Sequence, residues 1–225
     1  MQNKAIIFDL DGTLIDTIED IKDSMNKAIN VCGYDYSFSR NEIEMFIGSG
    51  EYLLVKRALK YLNVDGEEEV LKLRKNYNQI YTLNCKNKSC PFKGIENGLK
   101  DLKNLGYKLI IFSNKPNTEV QKVANYYFEE GLFSCVRGSF EHIPVKPNKA
   151  GLELIFMDMN LTSDDEIYYV GDSKVDMETG KNASIYTIGV AYGYERKEVL
   201  SSYNPNLIVD SVEELINFFK NKTNC

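Results

Sequence analysis

The chain has 225 residues, of which 43% are hydrophobic and 27% are charged. These values are typical of a globular protein that folds as one large domain, or as a core that carries an inserted subdomain. The net charge is −6 and no basic block is present, which argues against nucleic acid or an anionic membrane surface as the main partner.

The amino terminus and the cysteines indicate a cytoplasmic protein. The first apolar run is short and is interrupted by Asp9, so it predicts neither a signal peptide nor a membrane span. The cysteines are odd in number, scattered and without a C-x-x-C pair, which predicts reduced thiols and argues against a zinc site. They are Cys32, Cys85, Cys90, Cys135 and Cys225.

Five short apolar runs, separated by helical patterns, predict buried β-strands. Their apolar residues are continuous rather than alternating, which indicates a parallel sheet covered on both faces. We therefore expect an α/β fold with a doubly wound, Rossmann-like parallel sheet. The five runs lie at residues 4–8, 107–112, 166–170, 185–190 and 206–209.

Residues 16–85 break this alternation, because they show helical periodicity and no convincing strand. Thr17 with Asp20, and Ser39 with Glu42, have the spacing of capping boxes, which mark the starts of helices. The segment therefore predicts an all-helical module that interrupts the α/β pattern.

The position of this module predicts two domains. We expect a helical cap domain at residues 16–87, inserted into an α/β core of residues 1–15 and 88–225. Such an insertion emerges at the carboxyl end of the first strand, where open α/β sheets bind ligands, so it could act as a lid.

Polar side chains accompany the ends of the predicted strands. Because the carboxyl ends of parallel strands lie at one edge of a sheet, these side chains should converge. Two like charges about 4 Å apart cost roughly 4 kcal/mol at an effective dielectric of about 20, and Mg²⁺, which takes oxygen ligands, would relieve this repulsion. The side chains are those of Asp9, Asp11, Ser113, Lys146, Asp172 and Asp176.

The same edge offers groups that suit a phosphoryl group. Lys146 supplies a positive charge, Ser113 supplies a hydroxyl, and the turn at Gly12 and Thr13 supplies backbone N–H groups. Together they predict a phosphoryl site beside the metal. Whether Lys115 also contacts the substrate is left open by the sequence.

The order of these motifs resembles the haloacid dehalogenase superfamily. Asp-x-Asp-Gly-Thr, Ser-Asn, Lys and Gly-Asp-Ser-x-x-x-Asp occur in that order, at residues 9–13, 113–114, 146 and 171–176. The resemblance covers essentially the whole chain and implies a hydrolase or phosphotransferase with an α/β core.

The resemblance assigns chemical roles to these residues. It makes Asp9 the nucleophile that attacks phosphorus and forms an aspartyl-phosphate. Asp11 would protonate the leaving alcohol and then deprotonate the hydrolytic water. Ser113 and Lys146 would hold the phosphoryl oxygens, with Asn114 as a further phosphate or substrate contact.

The resemblance also implies a Mg²⁺ site. The ion would lie on Asp9, the main-chain carbonyl of Asp11, and Asp172, with Asp176 as a ligand or as support behind the ligands. Whether Asp176 binds the ion directly or through water stays open. In the predicted cap, the loop at Gly48 is expected to contact the substrate.

The resemblance favours phosphate esters as substrates. Members of the superfamily that displace halide typically lack an aspartate at the position of Asp11. The segments "FIGSGEYLLVKRAL" at 46–59 and "VKPNKAGLELI" at 145–155 resemble phosphoglycolate phosphatases and their relatives. This implies Mg²⁺-dependent hydrolysis of a small phosphorylated metabolite by a monomer or homodimer.

Three alternatives stay open. A phosphosugar mutase resembling β-phosphoglucomutase and a pyrophosphatase would use the same fold, and a binding protein would keep the fold without catalysis. No histidine follows shortly after Thr17, where such mutases often carry one. Neither the predicted nucleophile nor a metal aspartate is missing, whereas such a loss is the usual mark of a non-catalytic member.

Overall fold

The computed structural model describes residues 2–223 and contains a six-stranded parallel sheet and a two-stranded antiparallel ribbon. In chain order the strands are β1 (Lys4–Phe8), β2 (Ile15–Asp16), β3 (Cys90–Pro91), β4 (Lys108–Pro116), β5 (Cys135–Ser139), β6 (Glu166–Gly171), β7 (Tyr186–Val190) and β8 (Leu207–Val209). The sheet has the order β5-β4-β1-β6-β7-β8, and the ribbon pairs β2 with β3. The strand order therefore changes direction at β1, where open α/β sheets bind ligands.

The helices form two groups along the chain. Those between β2 and β3 are α1 (Ile18–Val31), α2 (Arg40–Glu44), α3 (Glu51–Tyr61) and α4 (Glu67–Asn84). Those after β3 alternate with the strands and are α5 (Ile95–Asn104), α6 (Asn117–Tyr127), α7 (Ala150–Met159), α8 (Lys174–Asn182), α9 (Lys197–Ser202) and α10 (Val212–Thr223).

The five predicted strands are confirmed, and so is the α/β fold class. β4 continues to Pro116, so Ser113 and Lys115 lie on the strand rather than after it. The sequence pattern does not predict β5, because this edge strand is only partly buried and contains Arg137 and Gly138. It also misses the ribbon of β2 and β3, whose strands are too short to show a periodicity.

Apolar side chains cover both faces of the sheet, as the continuous runs predict. In β1, Ala5 and Ile7 pack in a cluster with Leu152 of α7. The alternate residues of that strand, Ile6 and Phe8, belong to a larger cluster on the other face. β1 is therefore buried on both sides, and its carboxyl end is a rigid place from which to present a side chain.

The helices α1 to α4 form the predicted all-helical insertion. Buried residues of α1 and α4, including Met25, Ile29, Leu73 and Tyr77, belong to the same apolar cluster as one face of the sheet. The chain leaves the core through β2 and returns through β3, so the ribbon lies at the base of the insertion. The domain boundaries at 15/16 and 87/88 stay a prediction.

One of the two predicted capping boxes is confirmed. At the start of α2, Ser39 and Glu42 make both reciprocal hydrogen bonds. The prediction for Thr17 and Asp20 is wrong, because Thr17 makes no side-chain capping bond at α1. Its hydroxyl donates instead to Asp11 at 2.6 Å.

The carboxylate of Asp20 joins the two chain segments that connect the cap to the core. It is buried, and it accepts the N–H groups of Lys88 at 2.9 Å and Ser89 at 2.8 Å. It also accepts the hydroxyl of Ser89 at 2.6 Å. Asp20 therefore fastens the start of α1 to the segment that enters β3.

Two further observations concern location and thiols. Among residues 2–223, no helix combines the length and the apolar character needed to cross a bilayer. Cys32, Cys85, Cys90 and Cys135 are free cysteines, and Cys225 lies outside the described residues. The cytoplasmic location stays a prediction.

Replacement of Asp20 should weaken the fold at this junction. Asp20→Ala removes the acceptor of two backbone N–H groups and one hydroxyl, and each unsatisfied buried donor costs about 1–3 kcal/mol. We expect the free energy of unfolding to fall by about 2–4 kcal/mol, measured by urea denaturation. The control Asp23→Ala removes ion pairs that are partly exposed and should cost less than about 1 kcal/mol. Equal losses in the two variants would contradict the assigned role.

Candidate active site

The carboxyl ends of β1 and β6 bring three aspartates together. Asp9 follows β1, Asp172 follows β6, and Asp176 lies in the first turn of α8. One carboxylate oxygen from each lies within 4.8 Å of the others, and all three residues are buried. The structure thus brings together the acidic residues that the sequence places at separate strand ends.

The ammonium of Lys146 lies among these carboxylates. It is 3.0 Å from Asp9 Oδ1 and 2.7 Å from Asp176 Oδ1, and it donates to the carbonyl of Phe112 at 3.3 Å. Burial lowers the pKa of Lys146, but the carboxylates of Asp176 and Asp9 outweigh burial and raise that pKa well above its usual value. The neighbouring carboxylates therefore favour the charged form of Lys146.

One lysine does not balance the acidic groups. Burial raises the pKa of Asp9 to about 7, with a smaller rise from Asp176 and Asp11 and an opposing effect from Lys146. Burial, together with the carboxylates of Asp176 and Asp9, raises the pKa of Asp172 well above its usual value. Asp9 Oδ1 is buried and makes no hydrogen bond of ordinary geometry, despite its closeness to the ammonium. This donor set fits a hard divalent cation such as Mg²⁺.

Asp172 is held from two sides. The hydroxyl of Thr13 donates to Oδ1 and the N–H of Tyr194 donates to Oδ2, each at 2.9 Å. Gly12 and Gly193 make room for it, since a Cβ at either position would lie 2.2 Å from an Asp172 side-chain atom. The sequence analysis assigns no role to Gly193 and Tyr194, which follow β7.

Both carboxylate oxygens of Asp176 accept hydrogen bonds from neighbouring residues. Its Oδ2 completes a capping box with the N–H and hydroxyl of Ser173, at 3.1 and 2.6 Å. Its Oδ1 accepts the ammonium of Lys146 and the hydroxyl of Tyr169, the latter at 3.2 Å. Asp176 therefore positions Lys146, and a contact with a metal ion stays a prediction.

The segment after Phe112 supplies the hydroxyl of Ser113 and the amide of Asn114, which connects two loops. The buried Ser113 accepts the N–H of Lys115 at 3.3 Å, and its own hydroxyl hydrogen is available to a ligand. The amide of Asn114 accepts the N–H of Lys146 at 2.8 Å, and it donates to the carbonyls of Lys146 at 3.1 Å and of Gly48 at 3.2 Å. The side chain thus joins the Lys146 loop to the cap loop at Gly48. The contact of Asn114 with phosphate or substrate stays a prediction.

The turn after Asp11 does not offer the predicted backbone donors. The N–H of Gly12 donates to the carbonyl of Ile15 at 2.9 Å, and the N–H of Thr13 donates to the carbonyl of Leu10 at 3.4 Å. Gly12 has a φ of +81°, which glycine adopts without strain. The prediction that these two N–H groups bind a phosphoryl group is therefore not supported, because both close the turn.

A cavity of about 510 Å³ is lined by Asp9 and Asp172 of the acidic cluster, whereas Asp176 and Lys146 lie behind its lining. Its walls come from both the core and the cap, and its volume suits a small organic phosphate. Gly48 lines it, and its contact with the substrate stays a prediction. The sequence does not single out the aromatic and cationic cap residues of the lining. The lining includes Asp9, Asp11, Ser113, Lys115 and Asp172 from the core, and Gly48, Arg57, Tyr77 and Tyr81 from the cap.

Two curated bacterial proteins are similar to the chain over nearly its whole length. The phosphoglycolate phosphatase of Vibrio parahaemolyticus is 30% identical over 217 residues, which cover 95% of this chain and 94% of that protein. The phosphoglycolate phosphatase of Psychrobacter arcticus is 30% identical over 223 residues, which cover 97% of this chain and 96% of that protein.

Solved structures share the fold, and a family model matches most of the chain. A crystal structure from Lactobacillus delbrueckii subsp. bulgaricus has a TM-score of 0.90 and 30% identity, covering 97% of this chain and 99% of that one. That of a predicted phosphoglycolate phosphatase from Haemophilus somnus has a TM-score of 0.87 and 28% identity, covering 97% and 98%. The model of the haloacid dehalogenase-like hydrolase family matches residues 6–190. The chain therefore belongs to the haloacid dehalogenase-like hydrolases, as the order of its motifs predicts.

Proposed function

We propose that the protein is a Mg²⁺-dependent phosphatase that hydrolyses a small phosphomonoester of the phosphoglycolate type through an aspartyl-phosphate. The observation that carries the proposal is the buried contact of Lys146 with Asp9, which lines a cavity together with Asp172. The names of the curated relatives support the phosphoglycolate-type substrate. The partner is then a small phosphorylated metabolite.

The metal site follows from the acidic cluster. Asp9 and Asp172 would hold Mg²⁺, together with the main-chain carbonyl of Asp11 and with Asp176, directly or through water. The bound ion would neutralise the carboxylates and polarise the phosphoryl oxygens. Two observations support this assignment: Asp9 Oδ1 is buried and accepts no hydrogen bond beyond its ion pair with Lys146, and two donors orient Asp172.

In the first step, a carboxylate oxygen of Asp9 bonds to phosphorus while the bond from phosphorus to the ester oxygen breaks. Asp11 gives its proton to that departing oxygen, so the leaving group is an alcohol. The ammonium of Lys146 and the hydroxyl of Ser113 donate to the phosphoryl oxygens and stabilise the charge of the transition state.

In the second step, water attacks phosphorus and Asp11 takes its proton. The bond from phosphorus to the Asp9 oxygen breaks, which releases inorganic phosphate and restores the Asp9 carboxylate. Cap residues line the cavity above these groups, so they would limit access of bulk water during the first step.

Asp9→Asn should abolish turnover, because a carboxamide is too weak a nucleophile to form the covalent intermediate. We expect phosphate release to fall by at least about 10³-fold with an unchanged circular dichroism spectrum. Asp101→Asn, which changes only a surface pair with Lys220, is the control and should keep full activity. Substantial activity in a folded Asp9→Asn protein would rule out the assigned nucleophile.

Mg²⁺ should stabilise the native protein, because the ion relieves repulsion among buried carboxylates that the unfolded chain does not bring together. At an ion concentration about 100 times the dissociation constant, the gain is about 2.7 kcal/mol, seen as a higher unfolding temperature. Asp172→Asn should lose most of this shift and Asp101→Asn should keep it. A full shift in Asp172→Asn would contradict the proposed ligand set, and a chelator should stop phosphate release from the wild type.

A substrate panel tests the proposed reaction against its alternatives. Phosphoglycolate, sugar phosphates, nucleotides and pyrophosphate would be compared by phosphate release with and without Mg²⁺. We expect the highest kcat/KM with a small phosphomonoester of the phosphoglycolate type. A preference for pyrophosphate would instead indicate a pyrophosphatase. Isomerised product from a hexose 1-phosphate with a trace of the bisphosphate would indicate a mutase.

A further inference from the structure

The ammonium of Lys115 is a buried charge that the proposed reaction does not use. Its side chain is only 4% exposed, and it lines the active-site cavity near the end of β4. Its nitrogen donates to Asp11 Oδ1 and, at 2.7 Å, to the hydroxyl of Tyr81. A buried ammonium is costly unless it is paired, so these two contacts decide what Lys115 does.

The carboxyl group of Asp11 accepts hydrogen bonds at only one of its two oxygens among the described residues. Oδ1 of Asp11 accepts both the Lys115 ammonium and, at 2.6 Å, the hydroxyl of Thr17. Within residues 2–223, no group donates a hydrogen bond to Oδ2. Two donors aimed at one oxygen leave the other as the atom that can carry a proton to or from a substrate oxygen.

The second contact of Lys115 comes from the cap. Tyr81 lies on α4, its ring centroid is 5.0 Å from the Lys115 nitrogen, and it stacks on Tyr77 with ring centroids 5.3 Å apart. One residue further along α4, Thr82 bonds to the buried Glu119 of α6. The position of α4 therefore affects where the ammonium lies.

We propose that Lys115 is a positioning residue that holds Asp11 by Oδ1, presents Oδ2 to the leaving oxygen, and is itself held in place by Tyr81 of the cap. The inference rests on the proposed phosphatase function and on the role of Asp11 within it. Closure of the cap would then complete the arrangement of the group that protonates the leaving alcohol.

The test compares leaving groups. An alkoxide must be protonated as it leaves, whereas p-nitrophenolate leaves without a proton, so only the first kind of ester needs a well-placed Asp11. The measured quantity is kcat/KM, which reports the step that forms the aspartyl-phosphate. The three substrates are phosphoglycolate, ethyl phosphate and p-nitrophenyl phosphate, all with Mg²⁺.

We expect Lys115→Met to lower kcat/KM about 10- to 100-fold for both alkyl phosphates and less than about 3-fold for p-nitrophenyl phosphate. Tyr81→Phe, which removes one hydroxyl, should give the same pattern with a loss of about 3- to 10-fold. Lys122→Met is the matched control, because Lys122 also reaches α4, through the Thr82 carbonyl at 3.5 Å, but is exposed. It should leave all three values unchanged.

Two results would overturn the inference. Equal losses for all three substrates in both Lys115→Met and Tyr81→Phe would mean a purely structural role. A loss of kcat/KM confined to phosphoglycolate would mean that Lys115 binds the carboxylate of the substrate. Asp11→Asn is the reference variant. If its loss of kcat/KM does not depend on the leaving group, the proposed role of Asp11 is wrong as well. If Lys115→Met does not fold, as judged by circular dichroism, Tyr81→Phe alone decides.

Discussion

The buried ion pairs of Lys146 with Asp9 and Asp176 are the constraint on which the rest of the site depends. Buried charges are tolerated only when partners and hydrogen bonds replace water, and here one ammonium faces several carboxylates. The side chain of Asn114 fixes the backbone on both sides of Lys146, and the capping box of Ser173 fixes Asp176. The positive charge is therefore held in place by the fold before any ligand arrives.

The excess of acidic groups over this one ammonium is also the basis of the proposal that the site binds a cation before its anionic substrate. The raised pKa values of Asp9 and Asp172 show that the folded chain disfavours both as carboxylates. In the proposed reaction, a divalent ion would remove that penalty and add positive charge, so that a phosphate ester could approach an anionic nucleophile. The stability of the protein and its proposed chemistry thus depend on the same charges.

Two of the contacts between cap and core involve residues that line this site. Asn114 joins the cap loop at Gly48 to the segment that carries Lys146, and Lys115 joins Tyr81 of α4 to Asp11. These hydrogen bonds join parts that are far apart in the chain. A movement of the cap would therefore change the surroundings of the side chains proposed for catalysis as well as access to the cavity.

By itself the sequence determined the α/β core, the all-helical insertion and the set of reactive groups, because continuous apolar runs, helical periodicity and the motif order are local signals. It did not reveal that the N–H of Gly12 closes its own turn, that Asp20 bonds the returning segment, or that Lys115 lies between Asp11 and the cap. Only the tertiary structure decided these partners. The type of a polar side chain defines which hydrogen bonds it can make. Which of them forms depends on the distant group that the fold brings within about 3 Å.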